Sequence, residues 1–153
     1  MTHTLTLITL AGTLLLSEAT YAQDAIVVKK PKIIVQALDG RNGKPLAHQR
    51  LLVFTGITSE AVKTHAAYIE LITDEEGVAT LSIEPAKTRW IQPWPDGRTL
   101  CQKDPNQGSF SIATIMSAGL ATPNTCSSLV RESAPGRFVI FARQPTLTEK
   151  IKR

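Results

Sequence analysis

From residue 31 onward, apolar positions fall in short runs that mostly alternate with polar ones, separated by residues that favour turns. This pattern predicts strands rather than long helices. KIIVQAL (32 to 38) places Ile33, Val35 and Ala37 on one face. DGRNGKP (39 to 45) follows, with Asp-Gly and Asn-Gly pairs suited to the positive-φ positions of tight turns. RLLVF (50 to 54) is apolar on both faces, as expected of a strand inside a sandwich. TSEAVKTHAA (58 to 67) reads either as a single helical turn capped by Thr58 or Ser59, or as an extended loop.

YIELIT and VATLSI flank three consecutive carboxylates and a glycine, Asp74-Glu75-Glu76-Gly77. The length and the glycine predict a hairpin loop that closes through a left-handed residue. An aspartate at the first position can accept hydrogen bonds from the backbone two residues on, so these acids need no ligand. A calcium loop would need oxygen donors alternating over about a dozen residues, and that spacing is absent.

RWIQPW (89 to 94) is a further strand, and Pro93 places it at an edge. After the PDG turn (95 to 97), RTLCQ is expected to pair back on it. SFSIATIMSAG carries apolar residues at 112, 115 and 116, a serine suited to capping, and Gly119 as a stop, which predicts one short helix over about 111 to 118. RFVIFAR (137 to 143) is a final buried strand, and TLTEKIKR ends the chain in a basic tail with room for a frayed helical turn.

The N-terminus changes the picture of where this domain works. Leu5 to Leu16 has the length of a signal-peptide core and is too short to span a bilayer; small residues near Ala22 suit cleavage. The expected organisation is a signal peptide (1–22), a flexible segment (23–31), one domain (32–144) and a tail (145–153). Residues 1–22 hold Glu18 and no Lys or Arg, so their removal moves the net charge from +4 to +5. The excess is mild and gathers at Lys29-Lys30-Pro31-Lys32 and Lys150-Ile151-Lys152-Arg153, without the stacking aromatics of a nucleic-acid surface. Nucleic acid and a stable membrane span are therefore not expected. An exported chain with two cysteines predicts a Cys101–Cys126 disulfide. No C-x-x-C or H-x-x-x-H spacing supports a metal site with His48 and His65, and no cofactor is expected.

The order of strand, Gly43-Lys44-Pro45-Leu46-Ala47, a strand holding Leu51 and Val53, then Thr73-Asp74 and Gly77 before a second alternating strand, resembles the carboxypeptidase regulatory-like domain. The likeness covers about residues 33 to 95. It implies a mainly β, Ig-like or transthyretin-like antiparallel β-sandwich with one short helix in its C-terminal half. It also implies a folding or binding module without catalytic residues. His48 stands where the pattern commonly has glycine, and Gln49 where it commonly has an apolar residue, so the strand after Pro45 is expected to begin late. Glu84 to Lys87 lacks the usual Pro-Gly ending. Residues 98–136 fall outside the likeness and read as an addition covering one side or end of the sandwich. Transthyretin-like hydrolases and dioxygenases are excluded by the chain's Lys-Ile-Lys-Arg end and by a single tyrosine after residue 22.

No G-x-S-x-G, H-E-x-x-H or phosphate loop occurs. Trp90 and Trp94, the two tryptophans, fall on the same face of an extended strand, about 13 Å apart. As a platform they would stack on sugar rings or anchor a partner protein, with Arg89, Gln92 and Arg98 supplying hydrogen bonds; as core they would fill space between sandwich and helix. The sequence thus points to a periplasmic or secreted, non-catalytic module contacting envelope protein or polysaccharide through Trp90, Gln92, Trp94 and Arg98. The alternative is a small secreted hydrolase of unrecognised type, using a carboxylate or His65.

Overall fold

The computed structural model describes residues 30–103 and 108–151; the predicted signal peptide and residues 23–29 lie outside them. Nine strands and three short helices are described. The strands are β1 (Lys32–Asp39), β2 (Arg50–Gly56), β3 (Tyr68–Ile72), β4 (Val78–Ser82), β5 (Trp90–Pro95), β6 (Thr99–Leu100), β7 (Phe110–Ser111), β8 (Leu120–Ala121) and β9 (Arg137–Arg143). The helices are α1 (Ser59–Lys63), α2 (Ile112–Ala118) and α3 (Leu147–Ile151). Sheet A runs β4-β1-β9-β6, with β8 also on β9; sheet B runs β3-β2-β5-β7. The two sheets face each other as a mainly β sandwich.

The alternation in the sequence builds the core directly. Ile33, Val35 and Ala37 of β1 are fully buried and meet Leu51 and Val53 of β2, Leu81 of β4, and Phe138 and Ile140 of β9 in one cluster. Helix α2 closes an end of it with Ile112 and Ile115. Its start is fixed by Ser111, whose hydroxyl accepts from the Thr114 N–H, and its stop by Gly119 at φ 75°.

Phe138 to Ala142 of β9 are buried because both faces of the strand are covered. Val139 and Phe141 point away from the main core and form a second cluster with Leu38 and Cys101, packed by Ala121 and Cys126. The Cys101–Cys126 disulfide is formed. The addition at 98–136 does more than cover one side. Its loop covers the outer face of sheet A, while β6, β7 and β8 extend both sheets by pairing with β9 and β5. It is woven into the sandwich because its short strands find unpaired edges there.

Three local expectations are corrected. Asp74–Gly77 is not a hairpin tip, since β3 pairs with β2 in sheet B and β4 with β1 in sheet A. The turn chemistry is as expected: Asp74 Oδ1 accepts from the Glu76 and Val78 N–H groups, Gly77 has φ 71°, and all three acids face water. Gly77 is also pressed against backbone, because a Cβ there would sit 2.5 Å from the Ala37 carbonyl oxygen. Second, Thr99–Leu100 does not pair back on β5; the Pro95–Gly97 turn carries the chain across to β9 in the other sheet. Third, the sandwich is not wholly antiparallel. β1 and β8 both run parallel to β9, which the chain reaches only after the long loop from residue 122.

Pro93 obeys the edge rule only locally. β5 lies between β2 and β7, but β7 reaches only Trp90 and Ile91. The Asp96 N–H bonds to the Arg50 carbonyl, so the even residues of β5 bond to β2 and the odd ones face the other side. Pro93 and Pro95 therefore lack donors only where β5 has no neighbour to receive them.

Candidate functional site

The register of sheet B arranges its outer face in rows. Tyr68, Phe54 and Gln92 form one row; Glu70, Leu52 and Trp94 the next; Ile72, Arg50 and Asp96 (just past β5) the third. One end of this face is covered by α1. The helix starts at Thr58, whose hydroxyl accepts from the Ala61 N–H, and its buried Val62 packs on Gly56, where a Cβ would come within 3.0 Å of it. Gly56 is thus the floor on which the helix can sit.

His65 follows the helix at φ 54°, its N–H bonded to the Val62 carbonyl. This left-handed residue ends the helix in the position usually held by glycine. It turns the imidazole back over the sheet, where it stacks on Phe54 at 4.2 Å between ring centres. Trp94 meets His65 edge-on at 6.2 Å, and Tyr68 meets Phe54 edge-on at 6.0 Å. The result is a cluster of four rings from β2, β3, β5 and the segment after α1, with Tyr68 more than half exposed.

Beyond the rings the face becomes polar. Arg50 bonds Glu70 at 2.8 Å and Asp96 at 3.1 Å. The hydrogen bond to Glu70, then that to Asp96, raises the Arg50 guanidinium's pKa, and the same bond holds the Glu70 carboxyl below its ordinary range. Glu70 is therefore an ionised partner of Arg50 at neutral pH, ill-suited to donate a proton. Beside it, Gln49 accepts from Arg98 Nε at 2.7 Å and donates to the Arg50 and Asp96 carbonyls.

The structure therefore separates the residues that the sequence grouped. Trp94 joins the ring cluster. Arg98 is engaged by Gln49. Gln92 is fully buried, so it cannot meet a ligand at the surface; α1 packs against the strand that carries it. Trp90 lies instead in the wall of a cleft at the end of the sandwich, with Arg89 beside it. Both indoles are half-buried, between the platform and the core readings. Phe54 and Tyr68 were not singled out from sequence. Their alternation with inward-facing neighbours was visible, but nothing local says which strands bring them to His65 and Trp94.

The free margin of sheet B adjoins this face. Ala67 and Thr73 bond to β2, so the N–H and C=O groups of Tyr68, Glu70 and Ile72 point away from the sheet. β3 has β2 as its only strand partner among the described residues. It is also apolar at its surface: Tyr68 is 56% exposed and Ile72 63%.

Among the described residues there is no group of three or more His, Cys, Asp or Glu able to hold a metal ion, and no helix is long and apolar enough to cross a membrane. Comparison with family models, with curated proteins and with solved structures gives no match.

Proposed function

We propose that this chain is an exported, non-catalytic binding module of the cell envelope, periplasmic or secreted, which takes a partner protein along β3. The observation that carries the reading is the open margin of β3, with outward-pointing backbone groups beside exposed Tyr68 and Ile72. A strand added there would gain main-chain hydrogen bonds, while the Tyr68–Phe54–His65–Trp94 cluster would supply an aromatic anchor next to it. The Cys101–Cys126 disulfide fits an oxidising compartment. Kinship with carboxypeptidase regulatory-like domains belongs to the same proposal. It is supported by the roles of the matching residues: Gly43 takes a positive φ, and buried Thr73 donates to the Leu46 carbonyl while accepting from the Gln49 N–H.

A glycan is the second reading, favoured by the partly exposed indole of Trp94 beside His65. The hydrolase reading is weaker. His65 lies against Phe54, and Glu70 and Asp96 are both engaged by Arg50.

Hydrogen exchange with Trp94 fluorescence separates these readings. On addition of a solubilised envelope fraction, a protein partner slows exchange at Tyr68, Glu70 and Ile72 and spares a β3 whose Ile72→Lys substitution blocks docking. A soluble polysaccharide instead quenches Trp94 without slowing those amides. No change in either signal refutes the module reading.

A further inference from the structure

The cleft at the α2 end of the sandwich is a separate feature of about 450 Å3. Its lining is mostly apolar: Pro31, Ile83, Pro85, Trp90, Ile112 and Ala113. Ile83 and Ile112 are core residues, so the cleft opens directly onto the hydrophobic interior. Its size lies within the range of small-molecule pockets, roughly 300–1,000 Å3.

Arg89 is the one charged residue among the described residues that line the cleft. Arg89 lines the cleft, is exposed, and its guanidinium has no ion-pair or hydrogen-bond partner among the described residues. The nearest carboxylate in sequence, Glu84, is held by both Lys30 at 2.6 Å and Lys87 at 3.2 Å. Helix α2 contributes no acid to its first turn. An apolar hollow with an unengaged guanidinium at its rim is complementary to a molecule apolar along its body and anionic at one end.

We propose that this cleft binds a free, small carboxylate amphiphile, its apolar chain seated between Trp90, Pro85 and Ile112 and its carboxylate on Arg89. The site is distinct from the β3 margin, and its occupancy does not depend on the partner proposed there.

The test is calorimetric titration of the chain 23–153 with decanoate below its micellar concentration, alongside decanol and decyltrimethylammonium. Decanoate is expected to bind with one-to-one stoichiometry, and decanol at least tenfold more weakly, since a hydrogen bond to a charged group is lost. Arg89→Gln removes the preference for decanoate over decanol. Ala113→Phe, at an exposed position of α2 facing the cleft, abolishes binding of both while leaving the far-UV spectrum unchanged. Equal affinity for decanoate and decyltrimethylammonium overturns the proposal, as does decanoate binding that Ala113→Phe leaves intact. Binding only to a chain beginning at Lys30 also overturns it, because the cleft would then belong to the chain's own preceding residues. Attachment to phosphatidylglycerol vesicles without decanoate binding assigns the charge to a lipid surface and refutes a free ligand.

Discussion

Removing the disulfide tests how far the C-terminal addition is part of the fold. Cys101 and Cys126 are 25 residues apart and close a loop that covers Leu38, Val139 and Phe141. For a loop of about 26 residues the chain-entropy model gives roughly 12 cal/mol/K, or about 3.5 kcal/mol at 25 °C. At about 4 °C per kcal/mol for a domain of this size, the Cys101→Ala, Cys126→Ala variant should melt about 12–15 °C lower. Urea unfolding is the sharper assay, because it reports the free energy and the slope separately. The slope should rise in the variant, since an uncrosslinked unfolded chain exposes more surface. Reduced wild type should agree with the variant, as both lose the same constraint. A loss below about 1 kcal/mol would refute the reasoning, and would mean that the loop's packing on sheet A, rather than its covalent closure, holds it in place.

His48 sits at φ 53°, so His48→Gly should raise stability by about 0.5–1 kcal/mol in urea unfolding, and a β-branched residue there should lower it. Gly77→Ala combines a left-handed backbone with a close approach to the Ala37 carbonyl and should cost more than about 2 kcal/mol; a near-neutral result would argue against this turn geometry. Arg143, with help from the Thr146 backbone, lowers the Glu149 carboxyl to about 2. A depressed folded value contributes stability that is present above the ordinary range near 4.5 and lost as pH falls toward 2, so α3 should come loose in acid. NMR titration of Glu149 near pH 4.5 instead would show that the Arg143 pair is not kept in solution.

Much of the local structure was legible in the sequence. The alternation of Ile33, Val35 and Ala37, the cap and stop of α2 at Ser111 and Gly119, and the backbone bonds of Asp74 all depend on neighbours within a few residues. Disulfide pairing was legible because only two cysteines exist. What escaped was non-local. The acids of Asp74–Gly77 make the same turn whether the flanking strands share a sheet or diverge, so turn chemistry could not tell a hairpin from a crossing. Gln92 read as exposed because a five-residue helix leaves almost no periodic signal, yet α1 packs against its strand. The ring cluster unites residues 54, 65, 68 and 94 through register and through the left-handed turn at His65, which no propensity for histidine announces.

The parallel pairing of β1 with β9 also sets a timetable. Ile34 to Asp39 lie beside Arg137 to Ala142, so the first described strand of sheet A is completed by the last. A chain emerging N-terminus first, from a ribosome or through a translocation channel, cannot close that sheet until its final strand has come through. Until then β1 has only β4 on one side, and its other edge awaits a partner more than 90 residues away. Such long-range closure favours slow, late folding. It would delay the burial of Phe138 and Ile140 until nearly the whole of the described chain has emerged.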